Sequence, residues 1–203
     1  MHDRVKIAVF VSGGGTNLQA LIDASARGEI PSGEIALVLS SRPDAYALTR
    51  AETAGIKAVT VSRKNAGSQE EFEAEISARL EENGIEMIIL AGFMSILSES
   101  FTARWPMRII NVHPSLIPSF CGKGFYGLRV HEAALAYGVK VTGATVHYVN
   151  EVPDGGQIIA QKAVDILPGD TAEILQKRVM EQAEWILLPK AAELAAQKIK
   201  EGL

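Results

Sequence analysis

Several of the residue patterns that build special-purpose sites are missing from these 203 residues. Cys121 is the only cysteine, which excludes an intramolecular disulfide and a thiolate metal cluster and fits a reducing compartment. The four histidines include no pair at metal-ligand spacing, so no metal is expected. No apolar run approaches the length of a transmembrane helix, and the short run at 5–11 lacks the cleavage region of a signal peptide. Basic charge is not in excess either: 20 Lys and Arg against 24 Asp and Glu leave a formal net charge of -4. That balance disfavours nucleic acid or an anionic membrane as the main partner. No repeat, low-complexity tract or linker divides the chain. What is there, 47% hydrophobic and 22% charged, has the composition of one globular domain over residues 1–203, with small molecules as partners and the cytoplasm as the expected compartment.

Short β-branched runs alternate with longer amphipathic stretches, the pattern of βαβ units around a parallel sheet. Strands are expected at 5–11, 35–39, 57–61, 86–91, 108–112, 140–149 and 157–166. Helices are expected at 16–27, 45–54, 68–83, 98–105 and 129–137, with a long final one from Thr171 onward that Pro189 should bend or break. Ser68 followed by Glu71 is a capping-box signature, and Gly55 and Gly84 are stops. The runs at 86–91 and 108–112 are almost continuously apolar, which puts both strands in the middle of the sheet, buried on two faces. The expected fold class is α/β: a single domain with a doubly wound, mostly parallel sheet. In such sheets ligands sit at the carboxyl ends of the strands, near the switch in strand order.

Three polar segments fall at that edge. Ser12-Gly13-Gly14-Gly15-Thr16-Asn17 links a strand to a helix, so free N–H groups and the helix dipole can hold an anion there. It is not a Walker A loop, and as a dinucleotide fingerprint it is spoiled by Leu18 at the third glycine position, so a single phosphate is the more economical ligand. Gly92-Phe93-Met94-Ser95-Ile96-Leu97 is an apolar loop able to line a pocket for a flat heteroaromatic group. Asn111 and His113, two apart at a strand end, project together as a hydrogen-bond donor and a proton carrier. A carboxylate such as Asp154, if the fold returns it to the imidazole, would orient the ring and raise its pKa. By itself Pro153-Asp154-Gly155-Gly156 is an adequate turn. His147 reads equally as a packed residue or a site residue, His2 and His131 read as surface or loop residues, and nothing marks Cys121 as an activated thiolate.

Together these segments resemble the phosphoribosylglycinamide formyltransferase family, which uses 10-formyltetrahydrofolate. The resemblance is carried by Val11-Ser12-Gly13-Gly14-Gly15-Thr16-Asn17-Leu18-Gln19-Ala20, Leu90-Ala91-Gly92-Phe93-Met94-Ser95-Ile96-Leu97, Asn111-Val112-His113-Pro114-Ser115-Leu116-Ile117-Pro118, Gly143-Ala144-Thr145-Val146-His147-Tyr148-Val149 and Asp154-Gly155-Gly156, in family order across nearly the whole chain. It implies a Rossmann-like formyltransferase fold, with glycinamide ribonucleotide and folate as partners and a monomer or homodimer as the assembly. It further implies that Gly15, Thr16 and Asn17 hold the substrate phosphate and that Glu184 lies near the ribose. Met94, Ser95, Ile96 and Leu97, with Asn111, would border the folate, and Asn111, His113 and Asp154 would form the catalytic triplet. Three departures stand out: the spacing just before Glu184 differs by one residue from some relatives, Gln69 replaces a basic residue for which Lys64 could compensate, and the loop from Cys121 to Gly127 is long. Formyltetrahydrofolate deformylase shares the triplet but uses water as acceptor and carries a further N-terminal domain, which is not expected here. Methionyl-tRNA formyltransferase adds a tRNA-binding domain, which the acidic charge balance disfavours. A non-catalytic NADP-binding module, with Arg42 of Ser40-Ser41-Arg42 on a 2′-phosphate, is the reading from another class, and Leu18 speaks against it.

Overall fold

The structure, a computed structural model, describes residues 4–202, so His2 lies outside the described residues. Seven strands form one sheet: β1 (Val5–Val11), β2 (Gly33–Ser40), β3 (Ala58–Thr60), β4 (Met87–Leu90), β5 (Ile109–His113), β6 (Val141–Tyr148) and β7 (Ile158–Asp165). Their spatial order is β3-β2-β1-β4-β5-β6-β7. The first five are parallel; β6 pairs antiparallel with β5, and β7 antiparallel with β6. The chain leaves β1 toward β2 and β3 and returns to β4 on the other side, so the strand-order switch lies where β1 and β4 end, beside Val11 and Leu90.

Helices cover both faces. Leu18 and Leu21 of α1 (Thr16–Ala26), Ala47 and Ala51 of α2 (Tyr46–Thr53), and Leu188 and Ala192 of the final helix pack on one side, against Val9, Ile89 and Ile110. Phe72, Ile76 and Leu80 of α3 (Gln69–Glu82) and Phe101 of α4 (Glu99–Thr102) pack on the other, against Phe10, Ile88 and Ile109. Consecutive residues of β4 and β5 thus enter opposite cores, as the unbroken apolar runs require. Ser68 caps α3 by accepting the Glu71 N–H at 3.1 Å.

Two expectations change. Pro189 neither ends nor breaks the last helix, because α6 (Ala172–Val179) passes through a π-helical turn, Met180–Glu184, into α7 (Trp185–Glu201), which contains the proline. A π turn holds one residue more than an α turn, and Glu184 closes it. His131 is not a surface residue: it lies on α5 (Leu128–Tyr137), beside Val130 on the face that also buries Ala134, with no exposed area. Burial, followed by the nearby His113, pushes its pKa down to about 4.

Candidate active site

The glycine turn after β1 delivers α1 with an uncapped N-terminus. Gly15 has φ of 72°, and a Cβ there would lie 2.6 Å from the Ala47 Cβ, so no other residue fits. With no side chain capping α1, the N–H groups of its first turn are left for a ligand, at the positive end of the helix dipole. Thr16 and Asn17 begin that helix, as expected. The Asn17 side chain turns inward, where Nδ2 donates to Glu184 Oε2 at 2.7 Å and Oδ1 has no partner. Any contact of Asn17 with an anion is therefore made by its backbone. Burial pushes the Glu184 carboxyl up to about 7, against the opposing hydrogen bond from Asn17.

At the end of β5, the antiparallel pairing with β6 sets Asn111 opposite His147 and His113 opposite Thr145. Opposed side chains on one face of such a pair are in contact range. His147 Nδ1 lies 2.8 Å from the Tyr148 carbonyl, which can only accept, so Nδ1 carries the proton and Nε2 accepts from Asn111 Nδ2 at 3.2 Å. The second amide proton of Asn111 has only Asp154 Oδ1, at 3.5 Å. His113 donates from Nε2 to the Phe120 carbonyl at 2.9 Å, and its Nδ1 faces Asp154 Oδ2 at 3.5 Å. The turn between β6 and β7 brings Asp154 in at φ of 57°, and a Cβ on Gly156 would lie 1.8 Å from the Tyr148 carbonyl oxygen. Only glycine lets that turn fold back onto the strand.

Asp154 gathers these contacts. Its Oδ2 accepts the Gly122 N–H at 2.8 Å and its Oδ1 lies 3.5 Å from His147 Nε2. Burial pushes the carboxyl up, but its polar neighbours, the His113 ring and the Gly122 N–H among them, outweigh it and hold the pKa below the usual aspartate value. For His113 the expected direction reverses: burial drives the pKa down, and Asp154 and the Phe120 carbonyl only partly restore it. The resting site thus pairs an ionised carboxylate with a largely neutral imidazole at neutral pH. Cys121 is no thiolate, since burial and then Asp154 raise its pKa.

The three expected residues meet. Sequence reasoning left His147 undecided between packing and site, and left out the Phe120 carbonyl and the Gly122 N–H. The last two are backbone groups with no side-chain signal. His147 was identifiable only by knowing that β6 runs antiparallel to β5, in register with Asn111. The loop from Cys121 to Gly127, whose length had no assigned purpose, contributes the Gly122 donor.

A cavity of about 160 Å³ opens over this cluster, lined by Phe93, Ser95, Ile96 and Leu97 on one side, Val152 and Pro153 on another, and Asn111, His147 and Asp154 at the polar end. Met94 is not part of it. Its backbone N–H is tied to Ser12 Oγ at 2.8 Å, while its side chain is exposed and borders a separate groove with Arg42, Arg63 and Lys64. Gln69, in turn, donates to the Ile96 carbonyl at 3.1 Å and so supports the loop rather than presenting a charge. The features behind the dinucleotide reading are otherwise occupied: Leu18 is fully buried in the core and Arg42 is paired with Asp44 at 2.6 Å.

Residues 5–191 match the formyl transferase family. A phosphoribosylglycinamide formyltransferase of Haemophilus influenzae is 43% identical over 177 residues, covering 87% of this chain and 81% of that protein. The trifunctional purine biosynthetic protein adenosine-3 of Gallus gallus is 45% identical over 96% of this chain, but the chain spans only 19% of its length. Among solved structures, glycinamide ribonucleotide transformylase 1 of Symbiobacterium toebii superposes with a TM-score of 0.90 at 40% identity, covering 97% of this chain and 90% of that one. The phosphoribosylglycinamide formyltransferase of Brucella melitensis gives 0.85 at 42% identity, with 99% and 98% covered. Neither the hydrolase nor the NADP-module reading finds support among these relatives. The chain therefore belongs to the formyl transferase family, in its phosphoribosylglycinamide formyltransferase branch.

Proposed function

We propose that this chain transfers the formyl group of 10-formyltetrahydrofolate to the amine of 5-phosphoribosylglycinamide. The observation that carries the reading is the convergence of Asn111, His113 and Asp154, with Asn111 and Asp154 at the polar end of a half-apolar cavity, on the same sheet edge as an uncapped helix N-terminus. The cavity is below the roughly 300 to 1,000 Å³ of a site for a whole drug-sized ligand, so it suits the flat head of a folate alone. When bound, the folate supplies an activated formyl carbon. Gly15, Thr16 and Asn17 hold the phosphate of the acceptor through backbone N–H groups, and Glu184 reaches its ribose from the π turn.

The chemistry required of the protein is charge stabilisation and one proton. As the amine adds to the formyl carbon, negative charge collects on the formyl oxygen. The loosely held second N–H of Asn111 turns to it, a donor worth about 3 to 4 kcal/mol when well placed. His147 keeps the amide in orientation by accepting its other proton. The amine must also lose a proton, and neutral His113 takes it at Nδ1, so that the resulting imidazolium has Phe120 and Asp154 as acceptors at its two nitrogens. His113 then returns the proton to the departing folate nitrogen. Asp154 stays ionised throughout and lowers the cost of the cation.

The test is formyl transfer from 10-formyltetrahydrofolate with glycinamide ribonucleotide as acceptor and water as the control. Rapid transfer to the amine with slow hydrolysis is the expected result. Hydrolysis at a rate unaffected by the amine would move the chain to the deformylase reading.

A further inference from the structure

The anion-binding turn is held from behind by the start of α2, and that support identifies a residue outside the site described so far. Two consecutive peptide units of the glycine turn have their carbonyls pinned on the same side. The Gly13 carbonyl accepts the Ala47 N–H at 3.1 Å, and the Gly14 carbonyl accepts Arg50 Nε at 2.8 Å. In a trans peptide the C=O and the following N–H point in opposite directions. Fixing the oxygens of Gly13 and Gly14 toward α2 therefore fixes the N–H groups of Gly14 and Gly15 away from it. These are successive donors in the turn that leads directly into the uncapped N-terminus of α1.

Arg50 is suited to this. Its Nη1 donates to Gln19 Oε1 at 2.9 Å, bridging the turn to the second turn of α1, and its guanidinium lies 5.0 Å from the centre of the Tyr46 ring. Its Cδ would lie 3.4 Å from a Cβ on Gly15, so the stem packs against the glycine that permits the turn. Unlike Arg27 and Arg42, which pair with Glu29 and Asp44, Arg50 forms no ion pair among the described residues, and its guanidinium is spent on the Gly14 carbonyl and Gln19. Arg50 is half-buried beside a cleft of about 310 Å³ lined also by Thr16, Gln19, Asp23, Arg27 and Trp185, where it is less screened than a surface cation.

We propose that Arg50 is the positioning residue of the phosphate cradle: it binds the Gly14 carbonyl, orients the Gly15 N–H toward the anion and supplies positive charge from behind without touching the ligand. The proposal rests on the reading of the glycine turn as the phosphate site. Planarity and fork geometry matter here, because one guanidinium serves a carbonyl and a side-chain amide at once, which an ammonium cannot do in the same arrangement.

The test uses the full-length protein and its Arg50→Gln and Arg50→Lys variants, with inorganic phosphate and glycinamide ribonucleotide as probes. In the parent, phosphate shifts the Gly14 and Gly15 amide resonances in nitrogen-15 NMR. In Arg50→Gln, half-saturation of those shifts needs about tenfold more phosphate, and KM for glycinamide ribonucleotide rises by a similar factor, the size expected for losing a charge-assisted hydrogen bond. Turnover at saturation and KM for the formyl donor stay within about twofold, since the chemistry lies at β5. Arg104→Gln, which removes a guanidinium packed on the Phe101 ring, changes none of these. Arg50→Lys keeps the charge and loses the fork, and it behaves like Arg50→Gln if orientation is what matters. A lysine variant equal to the parent, or a glutamine variant with parental phosphate binding at both amides, overturns the proposal. Absence of any shift in the parent itself overturns the phosphate-loop reading instead.

Discussion

Asp154 lies 3.5 Å from a nitrogen of each of two imidazoles, and its charge partly offsets the burial that lowers the His113 pKa. Removing its charge withdraws one of the influences that lift the His113 pKa while leaving burial in place. Asp154→Asn should therefore lower the His113 titration further, read by NMR of the ring protons, and reduce turnover by about tenfold or more because the imidazolium formed in the reaction loses its counter-charge. An unchanged titration with full activity would return Asp154 to the role of a turn residue. At this scale much was legible in the sequence. Asn111 and His113 announce themselves by spacing, and Gly15 by its place between strand and helix. The direction of the His113 shift was not legible, because it depends on how completely the loop from Pro114 to Gly127 covers the ring. Met94 was expected beside the folate with its three neighbours, yet anchoring of its N–H to Ser12 sends its side chain the other way.

Among the elements, the π turn at Met180–Glu184 carries the clearest consequence. It adds one residue between α6 and α7, which rotates everything after it by about 100° relative to a continuous α-helix. Glu184, the last residue of that turn, accepts from Asn17. Deleting the exposed Glu181 should convert the turn to α-helix, swing Glu184 off Asn17 and raise KM for glycinamide ribonucleotide several-fold, while turnover at saturation holds. Helix content by circular dichroism checks that the helix has closed up rather than melted, and an unchanged KM would show that the π turn does not serve the site. The strands and most helices were readable from periodicity within one to three residues, since the buried central strands leave unbroken apolar runs and Ser68, Gly55 and Gly84 mark boundaries. The π turn was not, because a one-residue difference in spacing does not show the shape that accommodates it.

For the molecule as a whole, two buried ionisable groups pull stability in opposite directions with pH. His131, held neutral with a pKa of about 4 against an ordinary 6.5, takes up its proton more readily when unfolded, so its burial costs stability as pH falls from about 6.5 through 4. Glu184, raised to about 7 from 4.5, keeps its proton longer when folded, so its contribution is present below about 4.5 and is lost as pH rises through 7. Denaturant midpoints should accordingly show His131→Leu less acid-sensitive than the parent between pH 6.5 and 4, and Glu184→Gln gaining on the parent between pH 4.5 and 7. Parallel curves for parent and variants would contradict both assignments. Both groups adjoin the site, His131 near His113 and Glu184 at Asn17, so these conflicts are concentrated where function requires polar groups inside the fold. The account as a whole stands on the triplet at the sheet edge. Its most direct test is the single-turnover rate of formyl transfer to glycinamide ribonucleotide in the parent, Asn111→Ala and His113→Ala proteins, with folding confirmed for each. The account predicts a loss of about 10² or more in either variant, as for a donor or proton carrier acting in the transition state, and a near-parental rate in either variant would contradict it.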